Sequence, residues 1–337
     1  MAKVLNAAGR TLITAGVLIL LFVAYQLWGT GIREAQAQDR LQHQFEQKVA
    51  DADKGDSAVV GSSTSAASSA SSGGSSTSST PPDSVSTSTS PATTTSIAPP
   101  AEAPAEGEVV GKIEMPTIGL SAYVVEGVGV DDLKTGPGHY PGTPLPGQQG
   151  NASIAGHRTT YGAPFGDIDN LNVTDPIIVT TLQGQKLTYK VRQALPADPG
   201  SSPDRPYQVV SPSQVDVLDD KGDNRLTLTA CHPKYSASER IVVTAVLQGT
   251  ALPAPPPTTT PAGTPPAPKP DLSVSGESAP KLPAILLGLL CAAIWVAAWF
   301  IGKRWRKWPS YAIGLPFFLV ALFYFFENFS RLLPPNY

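Results

Sequence analysis

Cys231 has the clearest potential for covalent chemistry in this chain. It ends a short alternating run, Leu226-Thr-Leu-Thr-Ala-Cys231, and it is the only cysteine outside the apolar, membrane-like segments. A lone thiol in a domain that reads as exported has no partner for an intramolecular disulfide, so it is either a tolerated buried cysteine or a nucleophile. The second interpretation requires a base and a stabilising cation near the sulfur.

His157 and Arg240 are the candidates for that base and that cation. His157 follows the small-residue run Asn151-Ala-Ser-Ile-Ala-Gly156, and Arg240 begins a β-type run nine residues after Cys231. If the two runs pair antiparallel, the loop between them returns the guanidinium beside the thiol. There it would help to lower the thiol pKa and would offer donors to an oxyanion or a carbonyl. Each residue alone is more simply a surface residue, but the three together predict a catalytic site.

The alternation of the run ending at Cys231 decides which side chains share its face. Side chains two residues apart on a strand face the same way, so Thr229 accompanies Cys231, whereas Ala230 faces the opposite side. The ring of His232 also points away from the thiol, which makes it a poor base. The domain has no second Cys–His pair with which to complete a zinc site, so no metal or other cofactor is predicted.

The segment that must position these residues, 109–249, reads as a series of short β strands. Its β-type runs are separated by Gly, Pro, Asn and Asp, and they are 112–115, 120–125, 152–155, 176–181, 186–193, 226–231 and 241–247. No window shows a long amphipathic helix. Because several short strands otherwise leave exposed edges, we predict an all-β domain that forms a closed or nearly closed barrel.

Apolar stretches at both ends of the chain predict a membrane protein. Residues 11–28, 282–302 and about 309–326 are long enough to cross a bilayer, although a cleaved signal peptide is the alternative for the first. The basic turn 303–307 predicts a cytoplasmic loop, which leaves the β domain outside the cell.

The segment between the first apolar stretch and the β domain is too polar to bury the apolar surface that folding requires, so it is predicted to be a disordered tether apart from a possible helix at 33–49. The predicted parts are an N-terminus with its anchor (1–30), a polar, Ser/Thr/Pro-rich disordered tether (31–108), the catalytic domain (109–249), a Pro-rich linker (250–281) and a transmembrane hairpin with its tail (282–337).

The charge of the chain argues against one class of partner. The formal net charge is −3, and no cluster of Lys and Arg occurs outside the basic turn 303–307. The sequence therefore gives no indication of nucleic-acid binding.

The segments that carry Cys231, Arg240 and His157 resemble the signature strands of the sortases, which are membrane-anchored cysteine transpeptidases of Gram-positive bacteria. The surrounding segments, Gly136-Pro-Gly-His-Tyr140-Pro-Gly-Thr and Gly156-His-Arg-Thr-Thr-Tyr161-Gly-Ala-Pro-Phe165, are similar to the class E, actinobacterial branch. One residue departs from the family pattern, because Ala230 precedes the cysteine where a Thr is usual. The two C-terminal spans are also more than a typical member carries.

The resemblance implies a closed barrel of about eight strands and a transpeptidation mechanism. Cys231 would attack the Thr–Gly carbonyl of a C-terminal LAXTG or LPXTG-like sorting signal. Arg240 and the backbone N–H of His232 would stabilise the oxyanion of the tetrahedral intermediate. His157 would protonate the departing amine and deprotonate the acceptor. The implied partners are surface proteins that bear sorting signals, the amine of a peptidoglycan precursor such as lipid II, and the membrane.

The resemblance also implies which residues bind the signal. In class E, the preference for LAXTG is linked to a Tyr on the loop before the His strand. Tyr140 is the first candidate for this residue and Tyr161 the second. With Thr229 and His232 they make up the predicted substrate-binding set.

Two other functional classes fit part of the sequence. An L,D-transpeptidase or a papain-like cell-wall peptidase would also use Cys and His outside the membrane. The former expects a Ser-His-Gly-Cys motif, however, and the latter places Cys before His in the chain. A non-catalytic β domain held on a stalk would explain the tether and the spans, but it would not explain the three polar residues.

Overall fold

Nine β strands form the domain between the tether and the linker in the computed structural model, which describes residues 2–62, 102–196, 198–253, 272, 281–304, 307–330 and 332. The described strands are β1 (Val109–Met115), β2 (Leu120–Glu126), β3 (Gly138–His139), β4 (Asn151–Ala155), β5 (Pro176–Thr181), β6 (Lys186–Val191), β7 (Tyr207–Val210), β8 (Arg225–His232) and β9 (Glu239–Gln248). The described helices are α1 (Ala2–Ala24), α2 (Thr30–Ser62), α3 (Val130–Leu133), α4 (Lys281–Arg304) and α5 (Lys307–Ser330).

Eight of these strands close into a barrel. They are hydrogen-bonded in the order β6-β5-β1-β2-β3-β4-β8-β9, and β9 pairs with β6 to complete the ring. The β2–β3 and β4–β8 pairs are parallel and the remaining pairs are antiparallel. Strand β7 lies outside the ring and pairs with the first half of β9, next to the part that β6 covers. The prediction of an all-β, closed barrel of about eight strands is confirmed, and closure removes the exposed edges that short strands would otherwise leave.

The sequence pattern missed β3 and β7. Strand β3 has two residues and begins at the last glycine of a Gly-Pro-Gly run, and β7 has four residues directly after Pro206. Neither is long enough to show the alternation by which strands are identified. Strand β3 matters for function, because it places Tyr140 at its end.

The apolar faces of the strands fill the barrel. Leu226 and Leu228 of β8 are fully buried and pack with Ile154 of β4 and Val243 of β9 in one core cluster. Burying a leucine side chain stabilises a fold by about 1.5–3 kcal/mol. The inward-facing leucines therefore fix the orientation of β8, and with it the direction in which the intervening side chains point.

Two helices among the described residues have the length and composition of a membrane span. They are Lys281–Arg304 and the part of α5 from Tyr311 to Ser330, whereas the N-terminal apolar helix Gly9–Ala24 is shorter than the ~20 residues that usually span a bilayer. A π-helical turn, Tyr25–Gly29, joins α1 to α2. The sequence predicted three membrane spans. The two C-terminal helices are long enough to be spans, whereas the N-terminal apolar helix is too short by this measure.

Helix α2 occupies residues 31–62 of the segment predicted as a disordered tether, and it includes the helix predicted at 33–49. Its Gln, Ala and charged residues are good helix formers. The helix is also held against the barrel, because the Gln38 side-chain amide donates to the carbonyls of Tyr123 (3.0 Å) and Thr135 (2.8 Å) and accepts from the Tyr123 N–H (2.7 Å). The remainder of the predicted tether, up to residue 101, and most of the predicted linker lie outside the described residues.

Candidate active site

Cys231 and Arg240 lie directly opposite each other on neighbouring strands. Strand β8 pairs antiparallel with β9 over its whole length, and Cys231 is the pairing partner of Arg240. This is the arrangement that the nine-residue spacing predicted. Both residues are almost completely buried, each with 6% of its surface exposed.

His157 reaches the same end of the barrel from the other side of β8. Strand β4 runs parallel to β8 with Ala155 opposite Thr229, and the Gly156 N–H continues the ladder by donating to the Thr229 carbonyl at 3.0 Å. His157 and Cys231 each follow that pair by two residues, so they lie at the same height along the two parallel strands. Gly156 has no room for a side chain, because a Cβ there would lie 2.6 Å from the ring of Phe165.

One small cavity brings together most of the residues that the sequence singled out. His157, Cys231 and Arg240 line it with Thr229 and Tyr140. The alternation along β8 is as predicted, because the leucines and Ala230 belong to the barrel core. Ala230 itself is 4% exposed, so the residue that departs from the family pattern packs as a small apolar group.

Tyr161 and His232 lie beside this cavity without lining it. The Tyr161 ring is tilted against the His157 ring, with centroids 5.2 Å apart, and the residue lines a second cavity of about 440 Å³ next to α2. The His232 ring lies near Arg158, with 3.4 Å between its Nδ1 and the Arg158 Nη1. Neither side chain therefore shares the cavity of the thiol, although the backbone of His232 continues directly from Cys231.

Tyr140 is held rigidly beside the thiol. Its hydroxyl lies 2.9 Å from the Thr229 Oγ1, its N–H donates to the Ser153 carbonyl at 2.9 Å, and the residue is 2% exposed. The preceding residue, His139, pairs with Glu126 at 2.7 Å in the buried interior. The sequence pattern gives no sign of this pair, because Glu126 and His139 meet through the parallel pairing of β2 with β3.

Arg158 is a second functional candidate that the sequence analysis missed. Its Nη1 donates to the Cys231 carbonyl at 3.3 Å, and its Nη2 is 2.7 Å from the Asp169 carboxylate. The side chain is almost fully buried, so its positive charge acts close to the thiol. The available signal was its position directly after His157, which the resemblance did not single out.

Burial governs the protonation of the thiol and the imidazole. Burial raises the pKa of Cys231, and the positive charges of Arg240 and Arg158 oppose this rise without reversing it. Burial, with a smaller effect from the Lys134 charge, lowers the pKa of His157 to about 3. The contribution of Arg240 thus has the predicted direction, because its charge lowers the pKa of Cys231, but the loss of hydration on burial raises that pKa by more. At neutral pH both groups are uncharged.

We expect the rate of Cys231 alkylation by iodoacetamide to rise with pH and to reach its midpoint above the pKa of an ordinary thiol, because only the thiolate reacts. Arg240→Gln should move the midpoint to still higher pH, since it removes the larger of the two opposing charges. Lys186→Gln, which removes an exposed charge at the start of β6, serves as the control. Mass spectrometry of the Cys231 peptide measures the rate. A midpoint that is the same in all three proteins would contradict this account of the thiol pKa.

The described residues contain no group of three or more His, Cys, Asp or Glu side chains arranged to hold a metal ion. The polar groups that line the cavity suit covalent and proton-transfer chemistry, with a thiol, an imidazole and a guanidinium at one strand end.

Comparison with known proteins finds similarity to one domain family. Residues 113–248 match the sortase domain family. The chain is 30% identical over 253 residues to Sortase SrtE1 of Streptomyces coelicolor, covering 71% of this chain and 55% of that protein. It is 26% identical over 249 residues to Sortase SrtE2 of the same organism, covering 72% and 81%. The solved structure of sortase E from Streptomyces avermitilis is 32% identical, covers 43% of this chain and 90% of its own, and has a TM-score of 0.36. The chain thus spans little more than half the length of SrtE1.

Proposed function

The chain belongs to the sortase family, and we therefore propose that it is a membrane-anchored cysteine transpeptidase. It cleaves a C-terminal sorting signal of the LAXTG or LPXTG type between Thr and Gly, and it transfers the acyl group to the amine of a peptidoglycan precursor such as lipid II. The observation that carries this proposal is that Cys231, His157 and Arg240, which come from the ends of three strands, line one cavity.

The proposed acylation begins with two neutral groups. His157 takes the proton of the Cys231 thiol, and the thiolate attacks the threonine carbonyl carbon of the signal. The oxyanion of the tetrahedral intermediate lies near the backbone N–H of His232 and the guanidinium of Arg240. The C–N bond then breaks, the imidazolium proton passes to the departing glycine amine, and a thioester remains on Cys231.

The proposed second step regenerates the thiol. The acceptor amine attacks the thioester carbonyl while His157 accepts its proton, the C–S bond breaks, and the proton returns to the Cys231 sulfur. Burial lowers the pKa of His157 to about 3, so the imidazole is unprotonated at neutral pH and able to accept a proton, while the same shift makes it a weaker base than an exposed histidine.

Arg240 is suited to holding the peptide backbone beside the thiol. Its Nη1 donates to the carbonyls of Ala237 (2.9 Å) and Glu239 (3.0 Å), which fixes the plane of the guanidinium. Its Nε donates at 3.0 Å to the carbonyl of Leu272. A donor aimed at a backbone carbonyl in the cavity is what binding of an extended signal requires.

We expect Tyr140→Ala to change the ratio of kcat/KM for LAXTG and LPXTG peptides several-fold, on the order of 1 kcal/mol of discrimination, because the ring lines the cavity. Tyr140→Phe keeps the ring and removes the hydroxyl that contacts Thr229, so it should keep the ratio. Steady-state kinetics with both peptides measure the effect. If Tyr161→Ala shifts the ratio and Tyr140→Ala does not, Tyr161 is the selective residue.

The helices support a multi-pass arrangement with the barrel outside the cell. The pairing of Arg33 with Glu327 and the packing of Tyr25 against Phe326 bring the C-terminal end of α5 level with the junction of α1 and α2. The last residues of α4, Lys303 and Arg304, and the first residue of α5, Lys307, belong to the opposite helix ends, where basic residues favour the cytoplasm. The active site then faces the compartment in which sorting signals and cell-wall precursors meet.

The proposal is tested with the full chain in detergent micelles, an LAXTG peptide and an amine such as triglycine. Mass spectrometry should find the peptide cut after Thr and joined to the amine, with a thioester on Cys231 as the intermediate. An intact peptide, or cleavage at a different bond, would contradict the proposed function.

A further inference from the structure

A cavity of about 440 Å³ lies where the barrel domain meets the ends of two proposed membrane helices. Tyr25, at the junction of α1 and α2, and Glu327, near the end of α5, line it together with Thr135 and Tyr161 of the barrel domain. The exposed Trp28 follows Tyr25 by three residues, and tryptophans are enriched at the headgroup level of a bilayer. In the proposed multi-pass arrangement, the cavity therefore lies at the level of the outer lipid headgroups.

One face of α2 supplies cations to this cavity. Arg33, Gln36, Ala37 and Arg40 all line it, and their spacing of three and four residues places them on the same side of the helix. Lys134, directly after α3, is a third lining cation. The cavity thus brings together positive charge from two elements that are distant in sequence.

The two carboxylates of the lining are already engaged in ion pairs. The Lys134 Nζ lies 2.8 Å from the Asp131 carboxylate, and Arg33 pairs with Glu327. The remaining lining charge is that of Arg40, so the lining has an excess of one positive charge. An anion therefore finds a favourable potential in the cavity, whereas a metal ion or an ammonium group would have to displace a cation that is already paired.

The donors of this cavity suit phosphate oxygens. The pair with Glu327 uses the Nη1 of Arg33, and a guanidinium has five N–H donors in a planar fork that matches the geometry of a phosphate. The pair also restrains Arg33, because the Glu327 side chain is only 11% exposed. A phosphate in the cavity would thus meet one guanidinium that is already ordered and a second, that of Arg40, which is exposed.

This cavity shares a wall with the candidate active site. Tyr161 lines it and lies tilted against the ring of His157, with 5.2 Å between the centroids. Leu133 lines the cavity of the thiol, and the next residue, Lys134, lines the larger cavity. Besides burial, the charge of Lys134 lowers the pKa of His157. A ligand in the larger cavity therefore lies beside the residue that is proposed to take the proton of the acceptor amine.

We propose that the larger cavity binds the diphosphate group of a lipid-linked acceptor and so brings the acceptor amine to His157. This inference rests on the proposed function, because it assigns a binding site to the second substrate of the transpeptidation. The chemistry that the lining recognises is a phosphate group at the membrane surface, and a diphosphate has charge enough for both arginines. A lipid tail keeps this ligand in the membrane beside the cavity, which raises its effective concentration there.

The site is tested by isothermal titration calorimetry with the full chain in uncharged detergent micelles and geranyl diphosphate, a short lipid diphosphate. We expect Arg40→Gln to weaken binding by about fivefold or more, because it removes the excess positive charge, and Arg40→Lys to keep most of the affinity. The control is Lys48→Gln, which removes a cation of the same helix that pairs with Glu108 outside the cavity. It should bind geranyl diphosphate as the unchanged chain does.

A double variant tests the shape of the site at constant net charge. Arg33→Gln with Glu327→Gln replaces the ion pair by two amides, so the lining keeps its excess charge but loses the restrained guanidinium. Geranyl diphosphate should again bind about fivefold more weakly. In turnover, Arg40→Gln should raise the ratio of KM for a lipid-linked diphosphate amine to KM for triglycine by a similar factor, because triglycine has no phosphate.

Three outcomes would overturn this assignment. Inorganic pyrophosphate that binds as tightly as geranyl diphosphate would mean that the lipid is not recognised. Equal competition by phosphatidylglycerol in the micelles would assign the cavity to bulk anionic lipid. Equal affinities of Arg40→Gln and Lys48→Gln for geranyl diphosphate would show that the anion binds elsewhere.

This proposal and the proposed function fail in different ways. Transfer of the LAXTG acyl group to triglycine, without any binding of geranyl diphosphate, would overturn the diphosphate site and leave the transpeptidase intact. Binding that depends on Arg40, in a chain that cleaves no LAXTG peptide, would support the site and overturn the proposed reaction.

Discussion

Cys231→Ala should abolish the thioester and reduce cleavage of an LAXTG peptide by more than about 10³-fold, because the reaction passes through a bond to this sulfur. The other free cysteine, Cys291, lies in α4 and far from the cavity in sequence. The fold should persist, since the change removes one buried sulfur atom at a cost of about 1 kcal/mol. Mass spectrometry of the trapped enzyme and peptide kinetics measure the two effects.

Cys291→Ala is the matched control for this prediction, because it removes the same group from a membrane helix. It should keep both the thioester and the turnover. Substantial cleavage by Cys231→Ala would mean that another group attacks the peptide, and it would overturn the mechanism even if the barrel were unchanged.

The site was largely predictable from the sequence because its parts lie at strand ends with short connections. The alternation from Leu226 to Cys231 fixed which side chains leave the core, and the nine-residue return to Arg240 fixed the antiparallel pair. His157 follows a strand of small residues that fits closely beside β8. Each of these inferences uses local periodicity and turn length, which are properties of neighbouring residues.

The contacts that the sequence did not predict all join residues that are distant in the chain. Glu126 and His139 meet through a parallel pair of strands, and Arg158 meets the Cys231 carbonyl across 73 residues. Leu272 meets Arg240 across 32 residues, from a segment whose composition indicated only a linker. Partners of this kind are decided by the packing of the whole domain and leave no periodic signal in the sequence.

The net pKa of the thiol shows how burial can outweigh a charge that the sequence identifies correctly. Arg240 does lower the Cys231 pKa, as its position suggests, but the loss of hydration in the cavity raises the pKa by more. Part of that cavity is closed by Leu272. The protonation of the nucleophile and the occupancy of the site are therefore linked, because whatever displaces the leucine also changes the hydration of the sulfur.

Arg240→Lys separates the charge of this residue from its shape. The guanidinium makes three hydrogen bonds. Two run from Nη1 to the carbonyls of Ala237, in the loop before β9, and Glu239, the first residue of β9, and one runs from Nε to the carbonyl of Leu272. A lysine ammonium keeps the charge but cannot hold both directions at once. We therefore expect kcat/KM for an LAXTG peptide to fall by roughly 10²-fold or more, with a small change in the melting temperature.

The control is Arg192→Lys, which alters an arginine that is paired with Asp198 at 3.2 Å, outside the cavity, and should leave kcat/KM unchanged. Near-normal turnover by Arg240→Lys would show that a positive charge beside Cys231 is sufficient and that the planar donors are not used. A large fall in melting temperature would instead assign Arg240 to holding the loop between β8 and β9. A loss of kcat/KM at an unchanged melting temperature is the result that follows if Arg240 binds the backbone of the signal, as it binds that of Leu272 in the structure.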